Sequence, residues 1–444
     1  MSFPEPEPKL QRPHDSNSHS STGVSILRRR VVVTGIGVVS PNGIGIKSFW
    51  QAIRSGASGI DTISLFDPAS LSCQIAGEVK DFQPADYLPP KDLRRVGRAV
   101  PLAIAAAKEA LRAAGVDATE MSLEQRRSWG VILGSGGGTP DFIEQQYRLY
   151  FTDQVRKASA YNISSSTIGT LSSEISQYFG FKGPSHIIST GCGSSTDAIG
   201  YSFNMIRFGL ADHLITGGVD ATITPGIMLG FSIMKAVSCS HNEDPQRASR
   251  PFDRLRDGFI LGEGAWILIL EEREQALTRG APIYAEVLGY ASTCDAFHAV
   301  RLDPTGEEPA RAMGLALQDA NLAKEEVGYI ALHGTSTVLN DRTETQAAKL
   351  CFGRRAYDIP MSSIKSMIGH PQGASGAAGV TAAILGMIHN VVPPTINYEE
   401  PDPECDLNYV PNRALEKQVE ISLCNCISFG SKNSALVLAR ANGK

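Results

Sequence analysis

The sequence predicts an α/β protein made of two similar halves, and three observations lead there. Short apolar runs rich in β-branched residues alternate with longer Ala- or small-residue-rich segments, the pattern of strands and helices layered on buried sheets. Each half holds a strand that runs into a small-residue turn: Trp129–Leu133 into GSGGG, and Tyr329–His333 into GTST. Each half also places a chemically suggestive turn before a helix rich in Gly, Ala and Ser: STGC before 193–208, and SIKSMIGHPQ before 373–390. The correspondence is ordered and points to a duplicated unit, split near residue 280.

Residues 1–27 are rich in Pro, Ser and charge and read as a disordered tail. They lack the apolar stretch of a secretory signal. Val31–Thr34 reads as the first strand, followed by the Gly-rich turn GIGVVSPNGIG. That turn is not a dinucleotide fingerprint. It runs Gly35, Gly37, Ser40, and Pro41 follows where a third Gly should open a helix. Residues 98–115 form an Ala-rich helix closed by Gly115. His213–Thr216 is a strand that ends at Gly217–Gly218, and Trp266–Glu271 is another. Ile283–Gly289 opens the second half as Val31–Thr34 opens the first. The piece NVVPPTIN follows the last long helix. The domains are therefore 1–27 as tail, 28–280 as the first half and 281–444 as the second.

Composition excludes several classes. Lys and Arg number 41 against 46 Asp and Glu, a net charge of −5, which does not suit nucleic-acid binding by bulk charge. Hydrophobic residues are 42% and charged residues 20%, the profile of a globular chain with a large core. No apolar run approaches the roughly 18 residues of a membrane helix. Eight scattered cysteines form no CxxC and no zinc-ligand spacing, so reduced thiols in the cytoplasm are expected.

Chemistry concentrates in three turns. Cys192 lies in STGCGSST, between the apolar strand His186–Ile188 and a helix. A strand-to-helix turn would lift its thiol to the helix N-terminus, where free N–H groups favour a thiolate. The alternative is a structural cysteine buried before a tightly packed helix. His333 ends the strand before GTST, and His370 lies in KSMIGH. Singly, each histidine reads equally as a satisfied core residue. Together, a thiol and two imidazoles at strand-end turns suit acyl transfer through a covalent thioester, with N–H donors for an oxyanion or enolate. A cysteine hydrolase would want one histidine and an Asn or Asp orienter.

From Arg29 to Arg440 the chain resembles the β-ketoacyl synthases of the thiolase-like superfamily, the elongating kind that depends on acyl carrier protein. The resemblance rests on VVVTGIGVVSPNG, STGCGSS, ASRPFDRLRDGFILGEGA, HGTST, SSIKSMIGH, VPPTINYEEPDPECDLNYVP and SFGSKN, in that order. STGC, NDRTET and SSIKSMIGH are most similar to the catalytic ketosynthase subunit of type II polyketide systems, and the bacterial fatty-acid elongating synthase is nearly as similar. The resemblance implies a thiolase-like fold: duplicated βαβαβαββ halves in an αβαβα layering. It implies decarboxylative condensation of a Cys192-bound acyl group with malonyl on the carrier. The backbone N–H groups of Cys192 and Phe429 would form the oxyanion hole, with Phe429 also the gatekeeper. His333 and His370 would hold the enolate, Lys365 would organise their charge, and Thr335 and Thr337 would contact the phosphopantetheine arm. Asp341 and Glu344 would support the His333 loop, or form a solvated pair. Phe142 and Ile143 would line the acyl pocket, or pack in the core. Lys91, Arg94, Arg95, Arg98, Lys235, Arg254 and Arg256 would form a basic rim for an acidic carrier, or simply solvated faces.

No metal or redox cofactor is implied; the substrates ride on the carrier's phosphopantetheine arm. A homodimer, or a heterodimer with a chain-length-factor subunit, is the implied assembly. Two departures stand out: Ser428-Phe429-Gly430-Ser431 replaces Gly-Phe-Gly-Gly, and Gly379 stands where many members place a Glu beside the lysine. Two alternatives remain: a non-catalytic or partner-dependent ketosynthase-like subunit, and a non-decarboxylating thiolase-type acyltransferase, which would use a second cysteine as base.

Overall fold

The computed structural model describes residues 28–441, so the tail expected over 1–27 lies outside the described residues. The first half contributes β1 (Val31–Ser40), α1 (Ala99–Ala113), β2 (Trp129–Gly134), α2 (Pro140–Phe151), α3 (Thr170–Phe179), β3 (Ser185–Ile188), α4 (Ser194–Arg207), β4 (His213–Asp220) and β5 (Gly264–Glu272). The second contributes β6 (Ala285–Cys294), α5 (Glu307–Asp319), β7 (Tyr329–Ala331), α6 (Val338–Phe352), β8 (Met361–Ser362), α7 (Ser375–His389), β9 (Ile421–Ser428) and β10 (Lys432–Arg440).

The strand order is β3-β2-β4-β5-β1 in the first half and β8-β7-β9-β10-β6 in the second. Numbered within its own half, each is third, second, fourth, fifth, first. The senses agree as well: in each order the first three strands are mutually parallel, and the fourth pairs antiparallel with both of its neighbours. The first strands of the two halves pair with each other, Val31–Val33 against Ala285–Val287, so the sheets join edge to edge.

Period-2 alternation assigns the faces. Along β5, Trp266, Leu268 and Leu270 face an inner core with Ala198, Ile199 and Phe203 of α4 and Ala377, Ala378 and Ile384 of α7. Ala265, Ile267 and Ile269 face outward onto α1 and α3. On β10, Leu436 and Leu438 join the inner core, whereas Ala435 and Val437 pack on α5 and α6. The result is a five-layer stack, helix–sheet–helix–sheet–helix, with α4 and α7 at its centre.

Two expected boundaries shift. Gly35 and Gly37 do not form a turn. They continue β1 to Ser40, because α1 lies directly on them: a Cβ at Gly37 would fall 1.8 Å from the Ala106 carbonyl oxygen. Likewise β4 passes through Gly217–Gly218 to Asp220. The Asp220 carboxylate then accepts hydrogen bonds from Ser135 Oγ, Gly136 N, Gly137 N and Gly373 N, at 2.6–3.0 Å. One buried side chain thereby ties the GSGGG turn of the first half to the turn before α7. Among the described residues no helix is long and apolar enough to cross a membrane.

The crossing of α4 and α7 is closest at Gly376, where a Cβ would lie 1.9 Å from Thr196 Oγ1. At Gly379, three residues on, a Cβ meets nothing within 4 Å. Gly376→Ala should therefore cost about 1–3 kcal/mol through overpacking. Gly379→Ala should gain about 0.5–1 kcal/mol from helix propensity. Thermal melts of the two variants check this; equal shifts would contradict the packing described.

Candidate active site

Three turns meet near the ends of α4 and α7: those of Cys192 and His333 follow strands, and that of His370 follows a short helix. Cys192 lies in the single 3₁₀ turn Gly191–Gly193 between β3 and α4. Gly191 takes φ +74°, the left-handed conformation the tight turn requires. Ser194 Oγ closes the turn, accepting from Thr190 N at 2.9 Å and donating to the Gly191 carbonyl at 2.6 Å. From the second half, Ser428 Oγ accepts from Gly193 N at 2.5 Å, which pins the end of β9 to the cysteine turn.

His333 follows β7. Its N–H and that of Gly334 each donate to the Glu344 carboxylate of α6 at 2.7 Å, and Asn425 Nδ2 donates to the same carboxylate at 2.6 Å. His370 follows the short helix Lys365–Ile368, and its backbone N–H donates to the Ile260 carbonyl at 2.6 Å. His370 Nε2 lies 3.2 Å from Cys192 Sγ, and Ser375 Oγ lies 2.8 Å from His370 Nδ1. The two imidazoles meet edge to face, with centroids 5.3 Å apart. One donor atom from each of Cys192, His333 and His370 lies within 4.8 Å of the other two. Residues 192, 333 and 370, far apart in sequence, thus form one cluster.

The cluster is buried: Cys192 is 4% exposed, His333 2% and His370 3%. Burial pushes the Cys192 thiol up to about 11, against the pull of the Phe429 and Cys192 backbone N–H groups and the Lys365 charge. The helix terminus expected to favour a thiolate is outweighed, and the resting group is a thiol. Burial, with Lys365 close by, holds both imidazoles well below their usual range, so both are neutral. Lys365 Nζ donates to the His333 carbonyl at 2.6 Å and lies 3.4 Å from His333 Nδ1. Burial lowers the Lys365 pKa from its ordinary value.

A cavity of about 360 Å³ reaches the cluster and is lined by Cys192, His333, His370, Thr335, Thr337, Phe259, Met234 and Phe429. Thr335 and Thr337 hydroxyls are 2.9 Å apart along one wall. Exposed Lys235 and Arg301 line its outer part. The thiol with two imidazoles is also a donor set that a soft divalent cation would accept. Among the described residues it is the single such cluster.

Glu344 holds the His333 turn through the His333 and Gly334 N–H groups. Asp341 acts one step back: it accepts from Phe252 N at 2.8 Å and pairs with Arg256 at 3.2 Å. That pairing removes Arg256 from the expected docking rim. It is buried between Asp341 and Asp402, where it locks 252–256 to α6. Arg98 is likewise a structural group, forked onto the buried Glu263. Arg95 is half-buried against Asp92 and Glu174. Lys91 and Arg94 are exposed, and Arg254 is exposed on Glu400. Phe142 is buried and Ile143 half-buried in α2, and neither lines the cavity, so these two are not brought to the cluster. Sequence reading missed Ser375, Cys426 and Asp220. Their only signal was position: one opens a helix behind a histidine, and two lie at or near the ends of strands.

Two family models match the chain: "Beta-ketoacyl synthase, N-terminal domain" over residues 28–276 and "Beta-ketoacyl synthase, C-terminal domain" over 284–399. The chain belongs to the β-ketoacyl synthase family. The synthase is 44% identical over 419 residues to the putative polyketide beta-ketoacyl synthase 1 of Streptomyces halstedii, covering 93% of this chain and 98% of that one. It is 41% identical over 413 residues to 3-oxoacyl-[acyl-carrier-protein] synthase 2 of a Synechocystis strain, covering 93% and 98%. Its fold matches the solved ishigamide ketosynthase/chain length factor with a TM-score of 0.86 at 34% identity, over 94% of this chain and 100% of that one. The synthase therefore has the thiolase-like fold expected from its sequence.

The neutral histidines make the synthase acid-sensitive. Their folded pKa values lie below 6.5, so below that pH the unfolded chain binds more protons. Stability is complete above about pH 6.5 and is lost as pH falls toward the folded values, by up to about 1.4 kcal/mol per pH unit per histidine. In thermal melts between pH 7 and 5, the Tm of His370→Gln should fall less steeply than that of the parent. Parallel slopes would contradict the neutral assignment.

Proposed function

We propose that this synthase elongates acyl chains by condensing an acyl group held on Cys192 with a malonyl group carried on acyl carrier protein. The observation that carries the residue roles is the 3.2 Å approach of His370 Nε2 to Cys192 Sγ, with His333 on the same cavity. In the first half-reaction Cys192 sulfur attacks the incoming thioester carbonyl. A new S–C bond forms, the carrier's S–C bond breaks, and the cysteine proton leaves with the carrier thiol. The backbone N–H groups of Cys192 and Phe429 hold the transient oxyanion. In the second, malonyl thioester enters with its carbonyl oxygen between His333 and His370. Its carboxylate leaves as CO₂, and the electron pair forms an enolate held by the two N–H donors. That carbon attacks the Cys192 thioester, C–C replaces C–S, and β-ketoacyl carrier departs while the released Cys192 thiolate takes a proton from solvent.

Phosphopantetheine is the arm of the substrate, and Thr335 and Thr337 line the cavity it would thread. Phe429 would swing to admit it, its ring now stacked at 6.5 Å from Phe231. Lys235 and Arg301 at the mouth would meet the acidic carrier; exposed Lys91 and Arg94, and Arg254 in its pair with Glu400, would extend that rim. The assembly would be a homodimer or a pair with a chain-length-factor subunit. Eight free cysteines suit a reducing cytoplasm. A thiolase-type reading would need a second thiol facing substrate. Cys426 is the nearby candidate, but it sits behind His333 and does not line the cavity.

Two experiments test the proposal. Mass spectrometry after incubation with an acyl-carrier protein should show one acyl adduct on Cys192, and Cys192→Ala should show neither adduct nor condensation. Turnover by that variant would overturn the nucleophile. The double variant Lys235→Glu/Arg301→Glu should raise KM for carrier-bound substrate about tenfold at low salt, with kcat little changed. An unchanged KM would remove these two residues from the docking site.

A further inference from the structure

The roles given to His333 and His370 require each neutral ring to hold its one proton on Nε2, the nitrogen on the substrate side. The substrate side does not decide this, because Cys192 sulfur can donate or accept. The back of each ring does. Behind His370, Ser375 Oγ lies 2.8 Å from Nδ1 and has no other hydrogen-bond partner among the described residues. If Nδ1 carried the proton, the hydroxyl would accept it and strand its own buried O–H; donation to a bare Nδ1 satisfies both groups. Behind His333, Nδ1 faces Cys426 Sγ at 3.3 Å and Lys365 Nζ at 3.4 Å. A proton on that Nδ1 would point at an ammonium. Burial drives the Cys426 thiol far above its ordinary pKa, so it keeps its one proton, which the Cys192 carbonyl at 3.3 Å also accepts; the Lys365 ammonium decides the tautomer, and the shared S–H supports it.

We propose that Ser375 and Cys426 are positioning residues that, with Lys365, hold both imidazoles as the Nε2–H tautomer, so that two N–H donors converge on one thioester oxygen. This rests on the condensation chemistry proposed above. A consequence follows for the first half-reaction. With its proton on Nε2, His370 donates to Cys192 sulfur and cannot act as its base. The cysteine proton must then leave with the carrier thiol.

The test is ¹⁵N NMR of histidine-labelled protein, with His333→Gln and His370→Gln locating the two signals. Both rings should show a bare Nδ1 and a protonated Nε2. Ser375→Ala should disturb the tautomer of His370 alone, and Cys426→Ala that of His333 alone. Each should slow condensation about 3–10-fold, the worth of one hydrogen bond, at nearly constant KM for malonyl carrier. Ser375→Thr and Cys426→Ser, which restore a donor, should recover most of the loss. An Nδ1–H signal from either ring in the parent protein would overturn the inference, as would alanine variants with parental tautomers and kcat. The NMR readout needs no turnover. Condensation surviving in Cys192→Ala would instead sink the underlying chemistry while leaving the tautomers to be read.

Discussion

The close crossing of α4 and α7 is the constraint on which the site depends. Cys192 lies two residues before α4 begins, and His370 five residues before α7 begins. Each is delivered by the segment that leads into the central helix of its own half. They come within 3.2 Å because nothing larger than a hydrogen stands on Gly376 where it meets Thr196. Ser195 Oγ adds a bond to Ala377 N at 2.9 Å across the same crossing, and Asp220 ties the turn before α7 to the GSGGG loop. A duplicated unit with its central helices packed tip to tip thus converts two ordinary turns into one composite site. His333 enters from the second half's own sheet, between them.

Much of this was legible in the sequence because it follows from local rules. The alternation of apolar runs found the five strands of the first half and β6 and β7 of the second, but not β8, β9 or β10, and the order of similar turns disclosed the duplication. Cys192, His333 and His370 were visible because three reactive side chains stood in turns beside small residues. What escaped depended on contacts between distant segments. Gly35 and Gly37 read as a turn because their lack of side chains is locally ambiguous; only the approach of α1 shows that they let a helix lie on a strand. Arg256 and Arg98 read as surface charge because no local rule shows that Asp341, Asp402 and Glu263 wait for them in the interior. The helix-terminus argument for a Cys192 thiolate failed for a related reason. It weighed the favourable N–H groups and left out the cost of desolvation, which in this cleft is the larger effect.

That same cost raises the question of Lys365, a cation buried to 5% exposure with no carboxylate in ion-pair reach among the described residues. The glutamate that many family members place nearby is Gly379 here. The structure offers a different compensation. Lys365 Nζ donates to the His333 carbonyl at 2.6 Å, and the N–H of the same peptide unit, that of Gly334, donates to Glu344 at 2.7 Å. One peptide group therefore lies with its oxygen on an ammonium and its N–H on a carboxylate, polarised along its own dipole. The pair is an ion pair read through a peptide bond. Each charge is stabilised without direct contact, and the peptide between them carries the histidine. Burial still acts on both ends, lowering Lys365 and raising Glu344 to about 7, which is the direction expected when partners are held apart. The arrangement serves the imidazole. A carboxylate placed directly beside His333 would favour its protonated form. The nearer charge is instead the lysine, which keeps the ring neutral and able to donate from a fixed nitrogen.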